Sequence, residues 1–285
     1  MHLLHWTAEP PALRRPVLLV ALEGFVDAGA AASTAALFLR HRWRAEQLAT
    51  FDREELLDYR ARRPTVVVDS GRLRRLEWPE IELLAASVEG PHDAALLVGP
   101  EPDARWEGFA RATVSACQRL GIETVITLGA YPAAVPHTRS TGVVQASNAL
   151  ADGVVPDAPA VEGYSGPIGV GAALQLLLED AGVPAVGLWA EVPHYIAGSP
   201  HPDAALALVR LVARTLQTTV DTTELEAAGN LHRQQVDEAV AQHDDARDMV
   251  AALEEHVDSG RGAADLPSGE DLAAEIERFL RTQQD

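Results

Sequence analysis

Residues 17–31 read VLLVALEGFVDAGAA. An apolar run over 17–22 ends at a glycine-spaced turn, and an alanine-rich helical pattern follows at once. A strand, a tight turn and a helix in this order are typical of open α/β sheets, which place their working loops at such turns. The spacing matches neither G-x-G-x-x-G nor a loop ending in Gly-Lys-Ser/Thr, so the common nucleotide-binding loops are excluded.

Asp27 is the distinctive residue of this turn. Its carboxylate suits the N-cap of the following helix, where it can accept hydrogen bonds from free backbone N–H groups. A carboxylate there also disfavours a bound phosphate, because two anions would compete for one helix end. The other candidate site residues of the turn are Glu23, Gly24 and Gly29.

Strand-like apolar runs alternate with helical patterns through the first three quarters of the chain. The alternation predicts a three-layer α/β/α core with a mostly parallel, mixed sheet that is covered on both faces. Residues 74–76 and 81–87 flank a Trp-Pro-Glu segment and could form a hairpin or an extended excursion. The other predicted strands are 17–22, 65–68, 94–98, 124–128 and 185–190, and the predicted helices are 28–42, 106–120 and 203–217.

Strand-like patterns stop after residue 217, and polar, amphipathic helical sequence follows. We therefore expect an α/β core domain over 1–217 and a C-terminal helical extension over 218–285. Residues 221–224, Asp-Thr-Thr-Glu, resemble a capping box at the start of this extension. A glycine-rich break at 259–263 precedes a last predicted helix over 267–280. The apolar stripes of these helices must be buried against the core or against another subunit.

The composition is that of an acidic globular protein. The 285 residues contain 23 basic residues, all arginine, and 42 acidic ones, which gives a formal net charge of −19. This charge argues against nucleic acid and anionic membranes as partners, because their phosphates need a basic face. The single cysteine excludes an internal disulfide, and no apolar run approaches the ~20 residues that span a bilayer. Without a secretory signal pattern, the chain is expected in the cytoplasm.

If the predicted strands are parallel, the loops that follow them gather at one edge of the sheet. Two of these loops contain Val-Pro-His, ending at His137 and His194. The two histidines could perform acid–base chemistry, contact a ligand, hold a metal with Glu23 or Asp27, or simply hydrogen-bond the loop backbone. No H-x-x-x-H or C-x-x-C spacing supports a metal, and we expect neither a metal nor a cofactor. The other polar candidates of these loops are Glu101, Tyr131, Arg139, Glu191, Tyr195 and His201, of which Arg139 could bind an anion or pair with Glu191.

A third candidate is the glycine-rich segment 163–171, which reads GYSGPIGVG and leads into a helical pattern. Pro167 suits the first helical position, and Ser165 could cap the helix. Free backbone N–H groups around Gly166 and Gly169 could bind an anion, or the loop could simply be tightly packed. Ser165 is not expected to be a nucleophile, because the G-x-S-x-G elbow is missing.

The sequence resembles the proteasome assembly chaperone 2 family, and in particular its bacterial, actinobacterial-type members. The Gly-aromatic-x-Asp-Ala-Gly signature of that family matches GFVDAG at residues 24–29. The resemblance implies a phosphorylase/hydrolase-like core and a homo-oligomer, with a trimer favoured. Further matching segments follow in the same order and are LGAYP at 128–132, VPHTR at 135–139, GPIGVG at 166–171, LWA at 188–190 and VPHY at 192–195.

Two functions are compatible with these observations. The resemblance implies a non-enzymatic assembly or interaction protein with a protein partner. The alternative is a small-molecule-binding or phosphorylase/hydrolase-like enzyme that acts on a polar, possibly nucleoside-like substrate near Asp27, His137, Arg139 and His194. Family chaperones that dock on proteasome rings often end in hydrophobic-Tyr-any, whereas this sequence ends in RTQQD at 281–285. Docking would then depend on the C-terminal helices.

Overall fold

The computed structural model describes residues 3–259 and contains both strands and helices in alternation. Its strands are β1 Leu4–Trp6, β2 Val17–Glu23, β3 Glu46–Phe51, β4 Thr65–Asp69, β5 Arg72–Glu77, β6 Glu82–Ala86, β7 Ala94–Pro100, β8 Thr124–Ala133, β9 Val143–Ser147 and β10 Ala185–Pro193. Its helices are α1 Ala31–Arg42, α2 Arg53–Leu56, α3 Trp106–Leu120, α4 Val170–Asp180, α5 Pro202–Thr215, α6 Thr223–Ala241 and α7 Asp244–Asp258.

Eight of these strands form one mixed sheet in the order β1-β3-β6-β7-β2-β8-β10-β9. The four strands β7, β2, β8 and β10 are adjacent and parallel. The remaining pairs, towards both edges, are antiparallel. The parallel centre is the part of the sheet that the long apolar runs predicted, since such strands are buried on both faces.

Side chains of the central strands alternate between two hydrophobic cores. In β2, Val17 and Leu19 share a core with α1 and α5. Leu18 and Val20 point to the opposite face and share a core with α3 and α4. This period of two makes the whole run apolar, because each successive residue is buried on one face or the other. The predicted three-layer α/β/α core is therefore confirmed.

Residues 65–77 leave the main sheet and form a separate hairpin of β4 and β5. Its two-residue turn is Ser70-Gly71, with φ of 49° and 73°, values that suit the primed turns of hairpins. Of the two alternatives for residues 74–76 and 81–87, the hairpin is therefore wrong. β6 instead pairs with β3 and β7 in the main sheet, because its nearly unbroken apolar sequence can be buried only there.

The C-terminal helices α6 and α7 continue the α5 side of the molecule. Leu225 of α6 is buried in the core that contains α1 and α5. The capping box predicted at 221–224 does not form, because Asp221 accepts from the N–H and hydroxyl of Thr223 and no capping hydrogen bond comes from Thr222. The predicted break at 259–263 and the helix at 267–280 lie almost entirely outside the described residues. No helix within residues 3–259 is long and apolar enough to cross a membrane.

Candidate functional site

The carboxyl ends of the four parallel strands lie at one edge of the sheet, since these strands pair in parallel register. The loops that follow β2, β7, β8 and β10 therefore share this edge, which we call the loop edge. It includes residues 24–30, 101–105, 134–142 and 194–201. Asp27, His137 and His194 thus lie at the same end of the molecule, and their contacts decide what each can do.

Asp27 is half-buried and bound to the start of α1. Its Oδ1 accepts hydrogen bonds from the backbone N–H groups of Ala32 at 2.8 Å and Ser33 at 3.3 Å. A single 3-10 turn over Ala28–Ala30 separates Asp27 from the helix. Burial raises the pKa of the Asp27 carboxyl, although the hydrogen bonds to α1 oppose that rise. Gly29 has a φ of 60°, and a Cβ there would lie 2.7 Å from the His201 side chain, so only glycine fits.

Asp27→Ala is expected to lower the free energy of unfolding by roughly 0.5–2 kcal/mol, the usual effect of removing a helix cap. Asp27→Asn is the matched control, because its amide oxygen still accepts from the same N–H groups and should restore most of the loss. Thermal and urea unfolding followed by circular dichroism measure both variants. An unchanged melting temperature in Asp27→Ala would contradict the capping role and leave Asp27 available for chemistry.

Glu101 lies at the N-terminus of α4, where the sequence left open either a bound anion or a tightly packed loop. Its Oε1 accepts from the backbone N–H of Val170 at 2.6 Å, and its Oε2 accepts from that of Phe25 at 3.2 Å. Two glycines leave room for this carboxylate. A Cβ on Gly24 would lie 2.5 Å from Oε2, and one on Gly169 would lie 3.0 Å from Oε1. The first N–H group of this helix, that of Val170, is therefore bound by the chain's own carboxylate.

The start of α4 differs from the prediction. The helix begins at Val170 with Gly169 at its N-cap, so Ser165 and Pro167 lie outside it. The predicted cap at Ser165 is therefore wrong, because Glu101 supplies the acceptor from a distant loop. Gly166 lies beside the Tyr164 ring, where a Cβ would come within 2.7 Å of the phenol oxygen.

His137 is buried between the loop edge and α6, with only 6% of its surface exposed. Its Nδ1 lies 2.6 Å from the Tyr195 hydroxyl, and its Nε2 lies 3.0 Å from Oδ1 of Asp237 in α6. The Tyr195 hydroxyl also accepts from the His137 backbone N–H at 2.8 Å. The hydroxyl hydrogen is then free to point at Nδ1, which leaves the Nε2 proton facing the Asp237 carboxylate. Both ring nitrogens are thus engaged within the chain.

His194 does not pair with His137. Its side chain is exposed, and its Nδ1 lies 3.3 Å from the backbone oxygen of Ala133. Both histidine rings instead pack edge-on against Tyr195, with ring centroids 5.8 Å and 5.4 Å from it. Both Val-Pro-His segments therefore contact the same tyrosine, Tyr195.

Arg139 binds α7. Its Nε and Nη2 donate to the two carboxylate oxygens of Asp258 at 2.9 Å and 2.7 Å, and its Nη1 donates to Glu254 at 3.1 Å. The neighbouring Thr138 hydroxyl also donates to Glu254. The predicted pairing with Glu191 is wrong, because α7 brings carboxylates closer. These partly exposed pairs position α7 over the loop after β8, although each stabilises the contact only weakly because solvent screens the charges.

Tyr131 and Glu191 form a second polar pair at the ends of β8 and β10. They lie opposite each other in parallel register, and the Tyr131 hydroxyl donates to Glu191 at 3.2 Å. Their neighbours Ala130 and Ala190 belong to the core of α1 and α5, so the pair points to the α4 side of the sheet. Burial raises the pKa of both groups, and the nearby carboxylate raises that of Tyr131 further. The candidate residues are therefore divided between the two faces of the sheet.

An open cleft of about 490 Å³ lies between the loop after β8 and α6. Its lining is polar and combines carboxylate, guanidinium, amide and imidazole groups, an arrangement that can hold a polar group by hydrogen bonds. Among residues 3–259, no group of three or more His, Cys, Asp or Glu side chains could hold a metal ion. The cleft is lined by His137, Thr138, Asn230, Arg233, Gln234 and Asp237.

No sequence pattern indicated the residues that α6 and α7 contribute to this edge. Asp237, Glu254 and Asp258 lie at least 100 positions after the loop residues that they bind. Their helices were recognised from helical spacing, but no local pattern indicates where an amphipathic helix will pack. Glu101 carried a weak signal, since it lies in the loop that follows the predicted strand 94–98.

The family model described as the PAC2 family matches residues 21–240. This span includes the turn after β2, both Val-Pro-His segments and nearly all of α6. The chain belongs to the PAC2 family. The resemblance to proteasome assembly chaperone 2 proteins is thereby confirmed over most of the sequence.

Solved structures from actinobacteria are similar to this PAC2 protein over most of its length. A Mycobacterium tuberculosis protein of unknown function is 34% identical, with 92% of this chain and 93% of that chain covered and a TM-score of 0.84. A Corynebacterium glutamicum protein of unknown function is 29% identical, with 93% and 100% covered and a TM-score of 0.86. A proteasome-assembly chaperone homologue of M. tuberculosis is 32% identical, with 82% and 99% covered and a TM-score of 0.75. No curated protein matches the sequence.

Proposed function

We propose that this PAC2-family protein is a non-enzymatic assembly or interaction protein. The observation that carries the proposal is that the most reactive groups of the loop edge are bound within the chain. His137 is held between Tyr195 and Asp237, and Glu101 binds the first N–H group of α4. A general base must reach a substrate proton, but both ring nitrogens of His137 are already bound within the chain. An anion site needs free N–H groups, and Glu101 already binds one of them.

The C-terminal helices provide the docking surface in this proposal. They cover the loop after β8 through the contacts of His137 with Asp237 and of Arg139 with Asp258. Between residues 244 and 258, α7 has six acidic residues and one arginine, and most of these acidic side chains are exposed. The family relative described as a proteasome-assembly chaperone homologue supports proteasome subunits as the partner class.

The proposal extends to organisation and location. It divides the chain into a core over 1–217 and a helical extension over 218–285. The whole protein acts as a homo-oligomer in the cytoplasm, with a trimer favoured. The absence of strands between residues 218 and 259 and the acidic composition support this arrangement. The family resemblance supports the trimer.

Binding to proteasome subunits tests the proposed function. The purified full chain is mixed at micromolar concentration with proteasome α and β subunits of the organism that encodes it. Light scattering after size exclusion should reveal a complex, and the appearance of proteasome peptidase activity should be faster. Asp245→Arg/Asp248→Arg, two exposed changes on α7, should weaken the complex, whereas Glu46→Arg on β3 should not. No complex and no change in assembly rate would contradict the proposal.

An enzyme is the second candidate, and the Tyr131–Glu191 pair is the observation that favours it. A half-buried carboxyl with a raised pKa beside a tyrosine is a common acid–base arrangement. The test is a panel of nucleosides, nucleotides and esters with the wild type and Glu191→Gln. Turnover that Glu191→Gln abolishes would support the enzyme, and no turnover with intact subunit binding would support the assembly function.

A further inference from the structure

The hairpin of β4 and β5 exposes a continuous apolar face. Val66 lies opposite Leu76, and a bulge after Val67 places Val68 opposite Leu73. Directly opposed residues of an antiparallel pair point to the same side, so these four side chains share one face. They are exposed by 45% for Val66, 49% for Leu76, 55% for Val68 and 76% for Leu73.

This hairpin has little to stabilise it as it stands. Within residues 3–259, β4 and β5 pair only with each other, and every residue of the two strands except Val67 is exposed. A two-stranded hairpin alone is at best marginally stable in water, and monomers rarely keep contiguous apolar patches. The apolar face therefore gains stability only when a further surface covers it.

The hairpin region is basic in an otherwise acidic protein. Residues 60–77 contain six arginines and two acidic residues, a net charge of +4 that leaves −23 on the rest of a chain whose total is −19. Arg74 and Arg75 pair within the hairpin, and Arg62 pairs with Asp103. Among residues 3–259, Arg60, Arg63 and Arg72 form no ion pair. Their charge is complementary to the rest of any copy of this chain.

We propose that the β4–β5 hairpin docks on the acidic surface of a second copy of this chain. The apolar face supplies the buried area, and the unpaired arginines orient the contact and speed association. Two hairpins would repel each other, so the contact joins the hairpin of one copy to a different surface of the next. Such heterologous contacts close into rings when the rotation permits, whereas a two-fold dimer needs a self-complementary patch. The inference rests on the homo-oligomer proposed above and names the surface that joins its subunits, and it holds for either function considered there.

Light scattering with a hairpin variant is the first test. Leu73→Ser/Leu76→Ser changes two exposed side chains and should leave the circular dichroism spectrum unchanged. The wild type should form an oligomer at micromolar concentration, and the variant should fall to the mass of a single chain or dissociate at least about tenfold more readily. Leu231→Ser, at a leucine of α6 that is 57% exposed, is the matched control and should assemble normally. A monomeric wild type, or a hairpin variant that assembles like the wild type, overturns the proposal.

Charge reversal and cross-linking test what covers the hairpin. Arg63→Glu/Arg72→Glu should weaken assembly, and the effect should shrink as salt is raised. A benzophenone attached at Ser70→Cys probes the contact directly, because the native Cys117 is buried and resists labelling. A product of twice the chain mass supports the proposal. A product with only the chain mass places a segment of the same chain on the hairpin and overturns it, as does the absence of any cross-link.

Discussion

His137→Ala is expected to lower the free energy of unfolding by about 2–4 kcal/mol, because it removes a buried ring and two of its hydrogen bonds. The imidazole connects the loop after β8 to Tyr195 on one side and to Asp237 of α6 on the other. Its loss leaves the Tyr195 hydroxyl without the nitrogen that accepts its hydrogen bond. Burial raises the pKa of this hydroxyl, so it stays protonated and its hydrogen is left without that partner. Urea unfolding followed by tryptophan fluorescence measures the loss.

Hydrogen exchange separates this effect from general destabilisation. Amides of α6 should exchange faster in His137→Ala, since the helix loses its hydrogen bond to the loop edge, while those of β2 should change only with global stability. Thr138→Ala is the matched control, because this neighbouring side chain is exposed and its loss should cost less than about 1 kcal/mol. Wild-type stability in His137→Ala would show that the buried histidine does not hold α6 in place.

The central strands could be predicted because strands buried on both faces are apolar at nearly every position. β2, β7, β8 and β10 are apolar at consecutive positions, a pattern typical of strands covered on both faces. β3 was missed, since Glu46–Phe51 mixes charged, polar and apolar residues and becomes a strand by pairing with β1 and β6. Strand formation of this kind depends on partners that are distant in sequence.

The contacts of the candidate site divide in the same way, into those between residues close in sequence and those between distant residues. The Asp27 carboxylate binds N–H groups five and six positions ahead, so its contact with the start of the next helix could be predicted locally, although Ala30 and not Asp27 holds the N-cap position of α1. Glu101 caps a helix 69 positions later, and Asp237 binds a histidine 100 positions earlier. Contacts between such distant positions depend on how the helices pack on the sheet. The spacing of residues along the sequence does not predict this packing.

Acid sensitivity centred on His201 is the second large effect that we expect. The side chain is 5% exposed, and its Nδ1 accepts from the backbone N–H of Ala204 at 3.2 Å, as a cap of α5. Its ring packs edge-on against that of His232 in α6 at 5.2 Å, and Asp203 lies nearby with its own partner Arg233. Burial first, and then the neighbouring His232, lower the pKa of His201 from 6.5 to about 4. The neutral form is favoured because a protonated Nδ1 could no longer accept the capping hydrogen bond.

Stability should therefore be greatest above pH 6.5 and fall as the pH is lowered towards 4. In the unfolded chain His201 has its ordinary pKa of 6.5, so between these values the unfolded state binds a proton that the folded state does not. At 1.36 kcal/mol per pKa unit, the full loss is about 3 kcal/mol and is reached near pH 4. The pKa of His232 is also lowered, mainly by partial burial, which adds to the loss in the same direction.

His201→Asn should flatten this pH dependence. Asparagine is among the strongest N-cap residues, so it keeps an acceptor for the Ala204 N–H without titrating between pH 4 and 6.5. The variant loses ring packing and should be less stable at neutral pH, but its loss of unfolding free energy on acidification should be about 2–3 kcal/mol smaller than in the wild type. His41→Asn, at an exposed histidine of α1, should keep the wild-type slope. Urea unfolding at several pH values compares the three proteins. Equal slopes in wild type and His201→Asn would mean that other groups sense the acid and that the His201 pKa is not lowered.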